Sequence, residues 1–579
     1  MKKLPIGVSD FKDMITGNYY YVDKTLFIKE VIDSGDKILV IPRPRRFGKT
    51  LNISMLAYFY DCCEVSWDKQ SALSAPSTEL GSTNNKHLFD SLAISGAGQE
   101  YLDKMGKYPV IFLSFKSIKE KTWDLSLTKI KQLIQKEYLR HDYLLDSSVI
   151  KSQEKKYFQK IIELTGDLVD YENSLENLLI FLSRFYKERA VILIDEYDAP
   201  VHAGFTFRYY NEIINFMRNF LSGGLKDTDR YLEKGVVTGI MRIAKESIFS
   251  GFNNAGVYTL LSSKFREHFG FTEEEVTAML EVFQIPHMLD QVQYWYNGYR
   301  FGGKVIYNPW SIINFLNNEE KEFIPYWVNT SDNELVESLL SRGGRALREE
   351  LEQLIRGESI EKAIEENIIL KDLKKRDELL WSFLLMGGYL KQTDRRRDDV
   401  SDKIYYTLSI PNKEVRVTYT GIVDRYFSTK IENKKMEMML KSLIDGDIKT
   451  FEKMLKEIVR AVFSHHDFGK EPEKVYHALV AGLLIWISNT HEVKSNRESG
   501  YGRYDIMIIP KDPSRIGYVI EFKTVYKDDD ETVESALESA LAQIEAKKYE
   551  MELVERGVRR IKKLAIAFSG KRVFMKSID

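Results

Sequence analysis

Lys37-Ile38-Leu39-Val40-Ile41-Pro42-Arg43-Pro44-Arg45-Arg46-Phe47-Gly48-Lys49-Thr50 carries an apolar strand into a loop ending Gly-Lys-Thr, with helix-forming sequence beyond it. That order is what a phosphate-binding loop requires. The backbone wraps the anion, a lysine meets the β and γ phosphates, a hydroxyl holds Mg²⁺, and the free N–H groups of a helix N-terminus point at the negative charge. Gly48, Lys49 and Thr50 supply the last part of the pattern. The glycine that usually opens such a loop is absent, and Arg43 stands there between Pro42 and Pro44. Proline fixes its own φ and restricts the residue before it, so the loop is expected to begin extended rather than in a left-handed turn. Arg43, Arg45 and Arg46 are expected to add positive charge beside the phosphates.

A phosphate site needs a second half, and the chain offers one about 145 residues later. Ala190-Val191-Ile192-Leu193-Ile194 reads as a parallel strand buried on both faces, and it ends in Asp195-Glu196-Tyr197-Asp198. At the carboxyl end of such a strand one acid can hold Mg²⁺ and the next can orient or deprotonate the attacking water. Asp195 and Glu196 are the candidates for those roles. A third strand, Gly235 to Gly239, runs into Ile240-Met241-Arg242, which offers Thr238 and Arg242 as sensors of a γ-phosphate. The plainer alternative is a set of ordinary buried strands with acidic caps.

At 579 residues the chain is too long for one hydrophobic core and is expected to divide into roughly two to four domains. A formal net charge of −2 argues against a wholesale basic nucleic-acid binder, although a net figure hides local patches. The two cysteines, Cys62 and Cys63, are adjacent, which gives neither a disulfide framework nor a zinc spacing. Buried thiols in a reducing compartment fit best. No apolar run of about 18 residues and no apolar N-terminal segment stands out, so a cytoplasmic protein without a membrane span is expected. Ser74 to Lys86 and Arg395 to Lys403 read as loops, with Arg395-Arg396-Arg397 at a solvated tip.

Apolar runs at Lys37 to Ile41, Val110 to Phe115, Ala190 to Ile194, Gly235 to Gly239 and Val257 to Leu261 alternate with helical stretches, which implies an α/β domain with a mostly parallel sheet. Beyond it the pattern turns helical. Thr272, with Glu275 three residues on, is a good helix N-cap, and a helical lid is expected there, carrying the aromatic segments Trp295 to Phe301 and Tyr307 to Trp310. Further on, a helix over Leu380 to Leu385 reaches Gly387-Gly388 and is followed by a strand over Ile404 to Ile410, a small winged-helix-like connector. Such an aromatic helix is more often a packing unit than a DNA reader.

A second chemical site is expected near the C-terminus. Two apolar strands, Gly500 to Ile509 and Tyr518 to Lys523, are joined by a short turn and should be neighbours. Side chains two apart on a strand share a face, so Glu521 and Lys523 project together. With Asp505 on the partner strand, two carboxylates and an ammonium converge. Asp505 and Glu521 can then bind Mg²⁺, while Lys523 orients water and steadies developing phosphate charge. The alternative is an exposed ion pair on a hairpin. Glu473 and Gln543 are candidates to approach the same site from helices, and His477 reads as a packing histidine.

Together these residues resemble a bacterial and archaeal family with an N-terminal AAA-ATPase-like domain and a C-terminal domain of the PD-(D/E)XK nuclease superfamily. The resemblance rests on Leu4-Pro5-Ile6-Gly7, Tyr21 to Thr25, Arg43 to Thr50, Asp195 to Asp198, Ser250 to Asn254, Trp295 to Phe301 and Arg497 to Asp505. The loop without its first glycine looks like the family's own form. The implied architecture is α/β: a P-loop NTPase-like parallel sheet over 1–270, a helical lid over 271–345, a winged-helix-like connector over 346–430 and a nuclease-like α/β domain over 431–579. By the resemblance, Lys49, Thr50, Asp195 and Glu196 carry ATP and Mg²⁺, while Asp505, Glu521 and Lys523 carry nuclease chemistry on nucleic acid, DNA ahead of RNA. A nucleotide-operated switch that binds nucleic acid or a protein partner without cutting is the rival reading.

Overall fold

The computed structural model describes residues 2–62, 85–242, 255–327, 345–368, 370–374, 377–399, 402–428, 433–462, 480, 484, 487, 490–499, 502–525, 532–569 and 572–578. The chain divides into two compact units, one of Met1–Leu339 with Gly357–Arg416 and one of Leu340–Arg356 with Val417–Asp579. Each has its own sheet and core.

In the first unit, strands β1 (Ile38–Pro42), β2 (Val110–Ser114), β3 (Ala190–Asp195), β4 (Leu232–Gly239) and β5 (Ala255–Val257) form one parallel sheet in the order β2-β3-β4-β1-β5. β1 and β3 are buried along their whole length, as their unbroken apolar runs require. The register aligns the carboxyl ends in one row: Ser114 pairs with Asp195, Ile194 with Val237, and Pro42 with Gly239. β5 ends at Val257, short of the expected Leu261, and Tyr258 N–H still donates to Val40 O.

The lid region contains the capping box: Thr272 N–H donates to Glu275 Oε2 at 2.8 Å, and Glu275 N–H to Thr272 Oγ1 at 3.3 Å. It is not wholly helical. The aromatic segment forms a hairpin of β6 (Tyr299–Phe301) and β7 (Lys304–Ile306), because Gly302 and Gly303 take φ of +50° and +84° and close a two-residue turn. A Cβ on Gly302 would stand 2.4 Å from Ser262 O.

The connector holds β8 (Ile360–Ala363), the helix Asp377–Met386, β9 (Lys391–Arg397) and β10 (Ile404–Ser409), with the antiparallel order β8-β10-β9 of a winged helix. Every side chain from Leu379 to Met386 is buried, which leaves that helix no face for a DNA groove and fits a packing unit. Arg395 to Arg397 are a correction: they lie in β9, not at a loop tip. Pairing across strands holds them there, with Arg396 forked onto Glu361 at 2.9 Å through two nitrogens and stacked on Tyr405.

In the second unit β11 (His491–Ser499), β12 (Gly502–Pro510), β13 (Ile516–Thr524), β14 (Arg560–Ser569) and β15 (Arg572–Ile578) form a mixed sheet in that order, with only β13 and β14 parallel. The helix Val533–Lys547 makes the crossover between them. Ile506, Ile508, Ile520 and Phe522 pack on one side with the helices Asn433–Asp445 and Ile448–Val462. Met507, Ile509 and Val519 pack on the other with Val533–Lys547. Among the described residues no helix is long and apolar enough to cross a membrane.

Candidate functional site

The candidate nucleotide site lies at the carboxyl edge of the parallel sheet. β1 leads through the loop to Gly48, which caps the helix Lys49–Tyr60 in the left-handed region at φ +82°, and Arg46 is also left-handed at φ +66°. Among the described residues no atom lies within 4 Å of where a Cβ on Gly48 would stand, so what Gly48 supplies is the conformation rather than room. Lys49 is buried, and its Nζ donates to the loop carbonyls of Arg43 at 3.1 Å and Pro44 at 3.0 Å. Burial pulls its pKa below the ordinary value, against the nearby charges of Glu196, Asp195 and Asp198.

Asp195 is the hub. Its Oδ2 accepts from Thr50 Oγ1 at 2.8 Å and from Ser114 Oγ at 3.3 Å, and its Oδ1 accepts from Thr238 Oγ1 at 2.8 Å. Burial and the charge of Glu196 push its carboxyl above the usual range. Thr238 is therefore tied to Asp195. Glu196 follows in the left-handed region at φ +51°. Arg242 lies just past β4, half-buried, with its backbone bridged to Asn367.

The three arginines of the loop separate. Arg43 is a correction: it adds no charge to an anion site, because it is fully buried and donates to the carbonyls of Pro42 at 2.8 Å, Tyr258 at 2.6 Å and Phe265 at 3.2 Å, between the rings of Phe269 and Phe301. A buried guanidinium needs that many acceptors. Arg45 is half-buried and feels the charges of Glu196 and Asp198, with burial the largest influence in lowering its pKa. Arg46 is exposed and stacks on Trp310 at 4.1 Å. Phe47 anchors the loop on the hairpin rings of Tyr299 and Phe301, at 5.0 Å and 5.1 Å.

The candidate nuclease site lies on the sheet face covered by Val533–Lys547. Ile506 pairs with Ile520, which sets Asp505 beside Glu521, and Asp505 Oδ2 accepts from Phe522 N–H at 2.8 Å. Gln543, on the covering helix, joins the rest: its Nε2 donates to Glu521 Oε1 and its Oε1 accepts from Lys523 Nζ at 3.0 Å. Tyr549 Oη stands 3.4 Å from the same Nε2. Burial first, then the charges of Glu521 and Asp505, raise that phenol's pKa. Glu473 and His477 lie outside the described residues, as do Cys63 and Ser250 to Asn254, while Cys62 is buried. Among the described residues no three His, Cys, Asp or Glu cluster as metal ligands, so a cation here would have the two carboxylates of Asp505 and Glu521. That donor set suits Mg²⁺, which keeps most of its water and takes one or two carboxylates.

Sequence reasoning missed Ser114, Asp198 and Tyr549. Only Asp198 had a signal, as the last acid of Asp195-Glu196-Tyr197-Asp198.

A parallel sheet with a phosphate loop and an acidic strand end at one edge defines a P-loop nucleotide-binding domain, and the two-carboxylate, lysine hairpin defines a nuclease-like one. Residues 5–249 match the family described as predicted AAA-ATPase, and residues 471–578 match the PD-(D/E)XK nuclease superfamily; the chain carries both domains. It is also similar to an uncharacterized protein in the vnfD 5' region of Azotobacter chroococcum mcd 1, with 26% identity over 531 residues and 90% of each chain covered. No solved structure matches it.

Proposed function

We propose that this protein is a cytoplasmic ATP-regulated nuclease, in which ATP bound at the parallel sheet controls Mg²⁺-dependent hydrolysis of nucleic acid, DNA ahead of RNA, by the C-terminal domain. The observation that carries the reading is Gln543 spanning Glu521 and Lys523 on the strand face beside Asp505. A solvated ion pair on a hairpin would have no reason to bury Glu521 under a helix.

In this reading Asp505 and Glu521 hold the cation, which when bound polarises a phosphate oxygen and makes water a better nucleophile. The Phe522 N–H fixes the Asp505 carboxylate. Lys523, held by Gln543, orients the water and steadies charge on the phosphate. In the N-terminal domain Lys49 exchanges its two loop carbonyls for the β and γ phosphates, Thr50 and Asp195 hold Mg²⁺ with the nucleotide, and Glu196 serves as general base. Gly48 opens the helix N-terminus to the anion, Arg46 adds charge at the rim, and Thr238 and Arg242 report on the γ-phosphate, Thr238 through Asp195.

The test is cleavage of labelled single- and double-stranded DNA and RNA by the full chain, with and without Mg²⁺ or Mn²⁺ and with and without ATP. Metal-dependent cutting that ATP alters is expected. Absence of metal-dependent cutting on every substrate would replace this reading with the non-cutting switch.

A further inference from the structure

Hydrolysis as proposed needs Glu196, just after β3, and Arg242, just past β4, to act on one phosphate. Between them lies Asp198, a carboxylate that neither role uses and that is 1% exposed. Its Oδ2 accepts from two consecutive backbone groups, Ile240 N–H at 2.8 Å and Met241 N–H at 3.0 Å. Turning two successive N–H groups onto one oxygen bends the chain out of β4 immediately before Arg242.

The bend is fastened from both sides. Tyr197 N–H donates to Thr238 O at 3.1 Å, and Tyr197 Oη donates to Met241 O at 2.7 Å. A Cβ on Gly239 would stand 2.7 Å from Asp198 Oδ1 and 2.8 Å from the Tyr197 ring, so only glycine lets the two segments meet this closely. His202 Nε2 lies 3.4 Å from Asp198 Oδ2 on the helix that follows. Burial works against the charge on Asp198, yet the His202 contact and the Ile240 and Met241 N–H groups hold its carboxyl below the usual range. Arg242, by contrast, has a buried Nε with no acceptor among the described residues. Its side chain leaves a stretch of backbone that these Asp198 and Tyr197 contacts hold in place.

We propose that Asp198 is a positioning residue that fixes Arg242 relative to Glu196, so that hydrolysis and discrimination between ATP and ADP depend on it while nucleotide binding as such does not. The proposal rests on the ATP-hydrolysing reading above and adds to it the group that makes two loops one unit. It predicts a split that a purely structural carboxylate would not produce.

The experiment compares full-length wild type with Asp198→Ala, Asp198→Asn and Gly239→Ala, using calorimetry for ATP and ADP and single-turnover hydrolysis, with a melting curve on each. Asp198→Ala and Gly239→Ala are expected to bind ADP within about threefold of wild type, to lose the preference for ATP, and to hydrolyse bound ATP about 10–10²-fold more slowly, the scale of a small misplacement of a reacting group. Asp198→Asn keeps an acceptor oxygen in place and should recover most of the rate. Wild-type turnover in Asp198→Ala, or equal weakening of ATP and ADP with an unchanged single-turnover rate, overturns the proposal. Should Asp198→Ala fail to fold, Gly239→Ala decides on the same two readouts. A wild type that binds neither nucleotide overturns the proposed function itself, and this inference with it.

Discussion

The two candidate sites are assembled in opposite ways. The nucleotide site draws on residues from Lys49 to Arg242 and depends on parallel register to bring four strand ends into one row. The nuclease site needs one antiparallel hairpin and the helix after it. At the first, Asp195 alone gathers hydroxyls from three other segments. At the second, Asp505 touches the partner strand of its own hairpin, and Glu521 and Lys523 touch one helix. A distributed site should tolerate the loss of one hydroxyl and fail when its hub or its base is lost, whereas a compact one should fail at almost any member.

The sharpest way to break that comparison is Lys523→Ala, which should lower cleavage by about 10³-fold or more, the scale of removing a preorganised charge from a phosphoryl or acyl transition state. ATP affinity should stay within roughly twofold, because the lysine belongs to the other domain. Residual cutting near the wild-type rate would remove Lys523 from the chemistry. Next in size is Glu196→Gln, expected to slow ATP hydrolysis by about 10²–10⁴-fold while ATP stays bound, as for loss of a general base. Equal turnover in steady-state assays would exclude Glu196 as that base. Lys49→Ala should weaken ATP binding by about 10–10²-fold, the worth of charge-assisted hydrogen bonds. Unchanged binding by calorimetry would show that the lysine stays on the carbonyls of Arg43 and Pro44.

The smallest effect on either activity should come from Glu414→Gln, which touches neither site. Glu414 is fully buried, accepts from Ser311 Oγ at 2.8 Å and Trp327 N–H at 2.7 Å, and burial pushes its carboxyl up to about 7. A folded-state value above the unfolded one means that its contribution is present below about pH 4.5 and is lost as pH rises through about 7. The shift from 4.5 to about 7 amounts to about 3 kcal/mol at most. Glu414→Gln should therefore gain stability over wild type between pH 5 and pH 8. Parallel denaturation curves at the two pH values would rule this out.

Much of both sites was legible because their signals are local. Gly48-Lys49-Thr50 names a loop wherever it folds, and the alternation in Glu521-Phe522-Lys523 fixes a face without knowledge of the rest. What stayed hidden depends on contacts far along the chain. Arg43 looks like loop charge until the carbonyls of Tyr258 and Phe265, 215 and 222 residues on, are seen to accept its hydrogen bonds. Arg395 to Arg397 look like a loop tip until they are seen paired with Ile404 to Tyr406, with Arg396 held by Glu361 and Tyr405. The β6–β7 hairpin was different: Gly302-Gly303 between aromatic runs is a local hairpin signal that a helical reading of the lid overrode.

Arg43 also bears on the order in which the chain can fold. A glycine turn can form as soon as its few residues meet, but the opening of this loop is fastened by a guanidinium whose acceptors come from the far end of the domain. Contacts of such sequence separation form late, since the intervening chain must first be closed. The anion-binding loop should accordingly be among the last parts of the N-terminal domain to gain protection in pulsed hydrogen exchange during refolding, after β1 and β3. Protection of Gly48 and Lys49 amides together with those strands would show that the loop shapes itself without Arg43.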